Sequence, residues 1–146
     1  MKSTLKLTEW NGNGLLHHEE LQAILDTEKI MCLVSETYFS KQCYTKFKGY
    51  KLYNTIHPKN SARGGSAVII KENIHHREET KYEREGIQST AVCIKARDHS
   101  ILIAGIYFPR KHPLKKYEYL DFLGQFWNRF IVGAILMPKA PTWVLG

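Results

Sequence analysis

The sequence predicts an α/β protein, a sheet of mixed strand direction with helices packed on its faces. Three observations carry this: a strand, helix, strand succession near the N-terminus, a long hairpin in the middle, and an apolar run after a second amphipathic stretch. In the first, Leu5 and Leu7 alternate with polar residues up to Trp10, and Asn11-Gly12-Asn13-Gly14 is a turn. Leu21, Ile24 and Leu25 then put one apolar face on a helix between about His18 and Glu28. Ile30-Met31-Cys32-Leu33-Val34 is apolar at every position and fits a strand buried on both sides. Short connections around a helix make the two flanking strands a parallel pair with a right-handed crossover.

The next strands are expected at Tyr50 to Thr55 and, opened by Gly64-Gly65, through Ala67-Val68-Ile69-Ile70. The mixed-charge stretch from Lys71 to Glu85 is expected to be turn-like. Gln88 to Lys95 and Ile101 to Tyr107, joined by the polar turn Arg97-Asp98-His99-Ser100, predict the hairpin. Pro113 suits the first turn of a second helix, in which Leu114, Tyr117, Leu120, Leu123 and Phe126 recur every third residue. A last strand is expected from Phe130.

With 146 residues, 43% apolar and 24% charged, the chain has the size and composition of one globular domain, and no linker or repeat divides it. The longest apolar run, Phe130 to Met137, falls far short of the ~20 residues of a membrane span. Met1 to Lys6 lacks the apolar stretch of a secretory signal, so a nuclear or cytoplasmic location is expected and secretion is not. Three cysteines, Cys32, Cys43 and Cys93, without paired short spacing fit reduced thiols and argue against a zinc site.

The formal charge is +7, and its placement is informative. No acidic residue lies between Glu36 and Glu72, whereas Lys41, Lys46, Lys48, Lys51, Lys59, Arg63 and Lys71 do, and these seven account for the whole excess. Tyr38, Phe39, Tyr44, Phe47, Tyr50 and Tyr53 are interleaved with them. Cations alternating with flat rings suit a polyanion such as DNA. The same pattern also fits lysines on a solvated face with the rings turned into the core. The pairs His17-His18 and His75-His76 read as surface residues, since neighbours on a strand or helix do not chelate together.

In α/β sheets, sites form where strands end. Asn11, Glu36 and Tyr107 each follow or close a predicted strand. Taken with Trp10-Asn11-Gly12-Asn13-Gly14-Leu15, Leu33-Val34-Ser35-Glu36-Thr37, Arg63-Gly64-Gly65-Ser66-Ala67-Val68, Ile106-Tyr107 and Ala140-Pro141-Thr142-Trp143, the sequence resembles the endonuclease domain of jockey-type non-LTR retrotransposons. That domain is a branch of the endonuclease/exonuclease/phosphatase superfamily, which includes apurinic endonucleases and DNase I.

The resemblance implies a four-layer sandwich, two mixed sheets face to face with helices outside, of which residues 1–146 form the N-terminal portion. It implies hydrolysis of a DNA phosphodiester by in-line attack of water, with Glu36 as ligand of Mg²⁺ or Mn²⁺, Asn11 beside the metal and Tyr107 at the scissile phosphate. Arg63, Gly64, Gly65 and Ser66 fall on the DNA-facing loop, and Lys46, Lys48 and Lys51 are further candidate DNA contacts. No protein partner is implied, and a monomer is expected.

The family's Gly-Gly-Asp-Phe-Asn, whose Asp handles the attacking water, is replaced here by Gly133-Ala134-Ile135-Leu136-Met137. Ile135 and Met137 thus stand at lost catalytic positions, since neither side chain can accept a proton. Deleting one G from a coding of Gly-Gly-Asp-Phe-Asn-Ala yields Gly-Ala-Ile-Leu-Met-Pro, the residues from Gly133 to Pro138. A similar slip turns Trp-Gly-Ser-Arg into Trp143-Val144-Leu145-Gly146. The segments 133–138 and 144–146 are therefore expected to be frame-shifted, and the family's later Asp and His have no counterpart. The expectation is an inactive remnant of a target-site-nicking endonuclease. The alternative is a non-specific nucleic-acid-binding fragment that uses the basic 41–71 segment.

Overall fold

The computed structural model describes residues 7–12, 14, 19–27, 31–42, 45–60, 63–79, 81–96, 99–108, 115–124 and 130–135. The strand, helix, strand opening folds as expected: β1 (Leu7–Asn11) and β2 (Met31–Ser35) are parallel, with α1 (Glu19–Leu25) between them in sequence. β3 (Tyr50–Thr55) and β4 (Ser66–Lys71) complete a sheet of order β1-β2-β4-β3, in which β4 is antiparallel to both of its neighbours.

The second sheet is built on the predicted hairpin, β7 (Ile87–Ala96) against β8 (His99–Tyr107). The mixed-charge stretch before it is not merely turn-like. It contains β5 (His76–Glu78) and β6 (Tyr82–Arg84), both antiparallel to β7. These strands have three residues each, too few for alternation to declare itself, and they are ordered by pairing with the long β7. After α2 (Lys116–Leu123), β9 (Phe130–Ile135) joins β8 in parallel, so the second sheet is mixed as well.

Alternation along the strands sorts side chains into three buried layers. Met31, Leu33, Val68 and Ile70 of the first sheet meet Val92, Ile94 and Ile103 of the second, and this is the centre of the sandwich. On the outer face of the first sheet Cys32, Val34, Ala67 and Ile69 pack under Leu21 and Leu25 of α1. Buried on both sides in this way, β2 is apolar from Met31 to Val34. On the outer face of the second sheet Ile87, Ala91, Ala104 and Ile106 pack under Phe122 of α2. Helix, sheet, sheet, helix is the four-layer order expected from the resemblance.

One expectation about apolar residues is corrected, and one of two readings of the basic segment is favoured. In α2 Tyr117 and Leu120 are exposed, at 64% and 59%, and Phe122 is the buried anchor. A three-residue step turns ~300° around a helix, so a strict every-third row drifts off any one face within three steps. In the basic segment Phe39, Phe47 and Tyr50 are buried against α1 while Lys46, Lys48 and Lys51 are exposed. The interleaving there reflects lysines in solvent and rings in the core, with the Tyr50 hydroxyl donating to the Leu25 carbonyl at 2.7 Å. Tyr44 and Cys43, the residues before Leu7, His17-His18, Pro109 to Leu114, and everything after Ile135, including Met137, Ala140 to Trp143 and residues 144–146, lie outside the described residues. Among the described residues no helix is long and apolar enough to cross a membrane.

Candidate functional site

Strands β1, β2, β8 and β9 all end on one side of the sandwich, at Asn11, Ser35, Tyr107 and Ile135, and β4 begins there at Ser66. The register makes Asn11 the partner of Ser35, Ser35 the partner of Ser66, and Tyr107 the partner of Ile135. The expected site residues Asn11, Glu36, Tyr107 and the Arg63 to Ser66 loop are therefore gathered at one end, and so is the lost position Ile135.

The loops above these strand ends are tied to one another through backbone atoms. The N–H groups of Gly12 and Gly14 donate to the carbonyls of Ser35 and Glu36 at 2.7 and 2.9 Å, which fixes the β1–α1 loop against the end of β2. The N–H groups of Glu36 and Tyr38 donate to Gly65 and Gly64 at 2.9 and 3.0 Å. Glu36 and Tyr38 both hold left-handed backbone, with φ of 55° and 56°. That conformation costs a non-glycine residue ~1–2 kcal/mol, and such costs concentrate where function sets the geometry. Thr37 between them is fully buried, so Glu36 and Tyr38 flank a residue that plugs the interior.

Gly64 and Gly65 cannot be other residues without movement. Both have positive φ, and a Cβ on Gly64 would stand 2.9 Å from Cε1 of Tyr107 while one on Gly65 would stand 3.2 Å from the Thr55 carbonyl oxygen. The close approach of the Tyr107 ring to Gly64 is what brings the second sheet's phenol to the first sheet's loop.

Beneath these loops the contact between the sheets is polar. Thr90 Oγ1 bonds Thr55 Oγ1 at 2.8 Å and lies 3.0 Å from Ser66 Oγ, and Thr55 Oγ1 donates to the Ser89 carbonyl at 2.8 Å. Gln88 is fully buried, accepts the Gly65 N–H at 3.0 Å and donates to the carbonyls of Arg84 and Glu85 at 2.7 and 3.2 Å. Ser35 Oγ is the buried side-chain polar atom that lacks a hydrogen-bond partner among the described residues. Sequence reasoning passed over Gln88 and this network. Its trace was present in Gln88 and Thr90, two polar residues at alternate positions in a strand whose following alternate positions, Val92 and Ile94, are apolar.

Burial first, then the Glu36 carboxylate, then Tyr38, push the Tyr107 phenol above its ordinary pKa. Burial and then Glu36 do the same to Tyr38. Both phenols are therefore protonated at neutral pH and act as hydrogen-bond donors or acceptors, not as bases. His57, just past β3 on the same side, is buried, and its Nδ1 accepts the Lys59 N–H at 3.2 Å. Burial, then the Arg63 guanidinium, lower its pKa. Lys59 itself pairs with Glu85 at 3.1 Å on the surface.

Among the described residues no three His, Cys, Asp or Glu side chains cluster as a metal cage. A single carboxylate such as that of Glu36 is a poor donor set for zinc. A carboxylate oxygen suits a hard cation that keeps most of its water and takes one or two protein oxygens. Lys48 and Lys51 are not part of this end. Lys51 is paired with Ile70 near the start of β3, roughly 13 Å along the strand from Thr55, and Lys48 exchanges backbone bonds with the Gln22 side chain of α1. Lys46 lies in the segment leading to that far end.

No protein-family model matches the chain. It is 32% identical over 145 residues to the RNA-directed DNA polymerase from mobile element jockey of Drosophila melanogaster, covering 96% of this chain and 16% of that protein. It is 26% identical to the probable RNA-directed DNA polymerase from transposon X-element of the same fly, over 88% of this chain and 14% of that one. The chain thus spans about a sixth of the length of these relatives. Among solved structures, the endonuclease domain of TRAS1, a telomere-specific non-LTR retrotransposon, superimposes with a TM-score of 0.63 at 18% identity, over 86% of this chain and 57% of that one. The AP endonuclease LMAP from Leishmania major gives 0.53 at 14%, over 78% and 42%. Sequence kinship with jockey makes this protein a member of the family of jockey-type mobile-element RNA-directed DNA polymerases, and its described residues carry the fold of these endonucleases.

Proposed function

We propose that the Glu36 and Tyr107 end of the sandwich is the DNA phosphodiester site of a target-nicking endonuclease, and that in this chain it binds the phosphodiester without cutting it. The observation that carries the second half is the register of β8 and β9, which sets Ile135 beside Tyr107. In the family an Asp at that position orients and deprotonates the attacking water. An isoleucine can do neither.

The remaining residues fit the binding half. Glu36 is the residue to hold Mg²⁺ or Mn²⁺, which supplies charge neutralisation at the phosphoryl oxygens. Tyr107, kept protonated by its surroundings, donates a hydrogen bond to a phosphate oxygen. Asn11, at the end of β1, is carried over from the family as the amide beside the metal, and Arg63 to Ser66 as the loop that faces DNA. The frame-slip origin of residues 133–138 and 144–146 belongs to the same reading, and translating the gene in all three frames tests it.

The purified chain is expected to leave supercoiled plasmid intact in Mg²⁺, while Mn²⁺ binding followed by electron paramagnetic resonance is expected and is lost in Glu36→Gln. Nicking that Glu36→Ala abolishes would overturn the inactivity, and Mn²⁺ binding unchanged in Glu36→Gln would overturn the site. A second reading is favoured by the exposure of Lys46, Lys48 and Lys51: sequence-independent nucleic-acid binding at the far end of the first sheet. It requires steep salt dependence that charge reversal at these lysines reduces.

A further inference from the structure

We propose that Tyr38 is a second phosphate-contacting residue, its phenol and that of Tyr107 contacting one phosphoryl group at the loops around Gly14 and Gly64. The proposal rests on the reading of this end as the phosphodiester site and adds a residue to it.

Geometry is the first support. Tyr38 hangs from Gly64 by its N–H at 3.0 Å, and the Tyr107 ring lies against the same glycine, close enough that a Cβ there would stand 2.9 Å from it. One phenol belongs to the first sheet and the other to the second. On its other side the Tyr38 ring borders Gly14 of the β1–α1 loop, so it stands between the two loops that close over the site. The left-handed backbone of Glu36 and Tyr38, on either side of the buried Thr37, is a repeated local cost. What the repeat achieves is a carboxylate and a phenol two residues apart, on either side of that plug.

The chemistry of the ligand follows from the donor set. Two O–H donors reaching from different sheets suit oxygens that diverge from one tetrahedral centre. The Glu36 carboxylate, two residues before Tyr38, repels an anion unless a divalent cation accompanies it. The ligand is therefore a phosphoryl group taken up together with that cation, either a phosphodiester of DNA or free phosphate.

The test uses the whole chain carrying tyrosine labelled with ¹³C at Cζ, with Ca²⁺, and either a short DNA duplex or inorganic phosphate as ligand. The Cζ resonances of Tyr38 and Tyr107 are expected to move together, and Tyr38→Phe, which keeps the ring, is expected to weaken binding about tenfold, the loss of one charge-assisted hydrogen bond. Either ligand moving both resonances supports the pair, and comparing the two ligands tells DNA from free phosphate. If Tyr107 moves alone and Tyr38→Phe binds normally, the role of Tyr38 is overturned while the phosphodiester site stands. If DNA binds with neither resonance moving, and binding is lost in Lys48→Glu with Lys51→Glu, both are overturned. Absence of binding by the folded wild-type chain also overturns both.

Discussion

Gln88, on the long hairpin of the second sheet, accepts the backbone N–H of Gly65, at the head of a strand of the first sheet, at 3.0 Å. It is the cross-strand partner of Tyr107, and its amide nitrogen is used up by Arg84 and Glu85. One side chain thus holds together the Gly64-Gly65 loop to which Glu36 is bonded, the turn before β7 and the strand that pairs with the phenol's strand. Gln88→Ala leaves the buried Gly65 N–H without this partner and is expected to cost ~1–3 kcal/mol, read as a lower urea midpoint. A change within ~0.5 kcal/mol would mean that the loop is held by other means.

Gly65→Ala tests the loop from the other side. The new methyl meets a backbone carbonyl 3.2 Å away and the Thr37 hydroxyl at 2.5 Å, at a φ of +87°. A loss of ~2–3 kcal/mol is expected. At Gly49 the φ is similar but the space is open, so Gly49→Ala is expected to cost only the backbone penalty of ~1 kcal/mol.

Restoring a carboxylate beside Tyr107 separates fold from chemistry. Ile135→Asp is expected to tighten Mn²⁺ binding several-fold, since two carboxylates would replace one at the proposed cation site. Unchanged affinity would mean that the end of β9 does not face the ion.

His57 gives the chain a specific acid sensitivity. Its folded-state pKa is lowered by burial and by Arg63, so the native state favours the neutral ring whose Nδ1 accepts the Lys59 N–H. Its contribution to stability is complete above the unfolded value of ~6.5 and is lost as pH falls below that value and through the lower folded one. The urea midpoint is expected to drop between pH 7.5 and pH 5, and His57→Asn is expected to flatten that drop. An equal drop in the variant would assign it to the carboxylates.

On α2 the expected sensitivities are reversed from those the every-third pattern suggests. Phe122, buried between Tyr82 and Phe108 with edge-to-face rings at 5.0 and 6.2 Å, is expected to cost ~3–5 kcal/mol as Phe122→Ala. Leu120→Ser, on the exposed side, is expected to stay within ~0.5 kcal/mol.

These contrasts show what a one-dimensional reading can and cannot carry. β1, β2, β3, β4, the hairpin and β9 were legible because each has either strict alternation or an unbroken apolar run bounded by a turn. β5 and β6 were not, since three residues hold no period and their order comes from β7. At the site, Glu36 and Tyr107 were legible as chemistry-bearing residues at strand ends. Gln88 was not, because it serves by joining two loops that are 23 residues apart in sequence, and nothing local announces a partner. For the lysines, the sequence does not show how far they lie from that end. Lys48 and Lys51 are close to Glu36 along the chain and a strand's length away in space.

The pairing of β8 with β9 also bears on how the chain reaches its folded state. Asn11 and Ile135 end the first and last described strands at the same end of the sandwich, and almost the whole described chain lies between them in sequence. A site made from such distant stretches has no partial form. It is absent from any intermediate in which only the hairpin, or only the first sheet, has condensed, and it comes into being with the last and slowest long-range closure. Refolding followed by a probe at Tyr38 or Tyr107 should therefore lag refolding followed at the hairpin, and the delay would time the meeting of the two sheets.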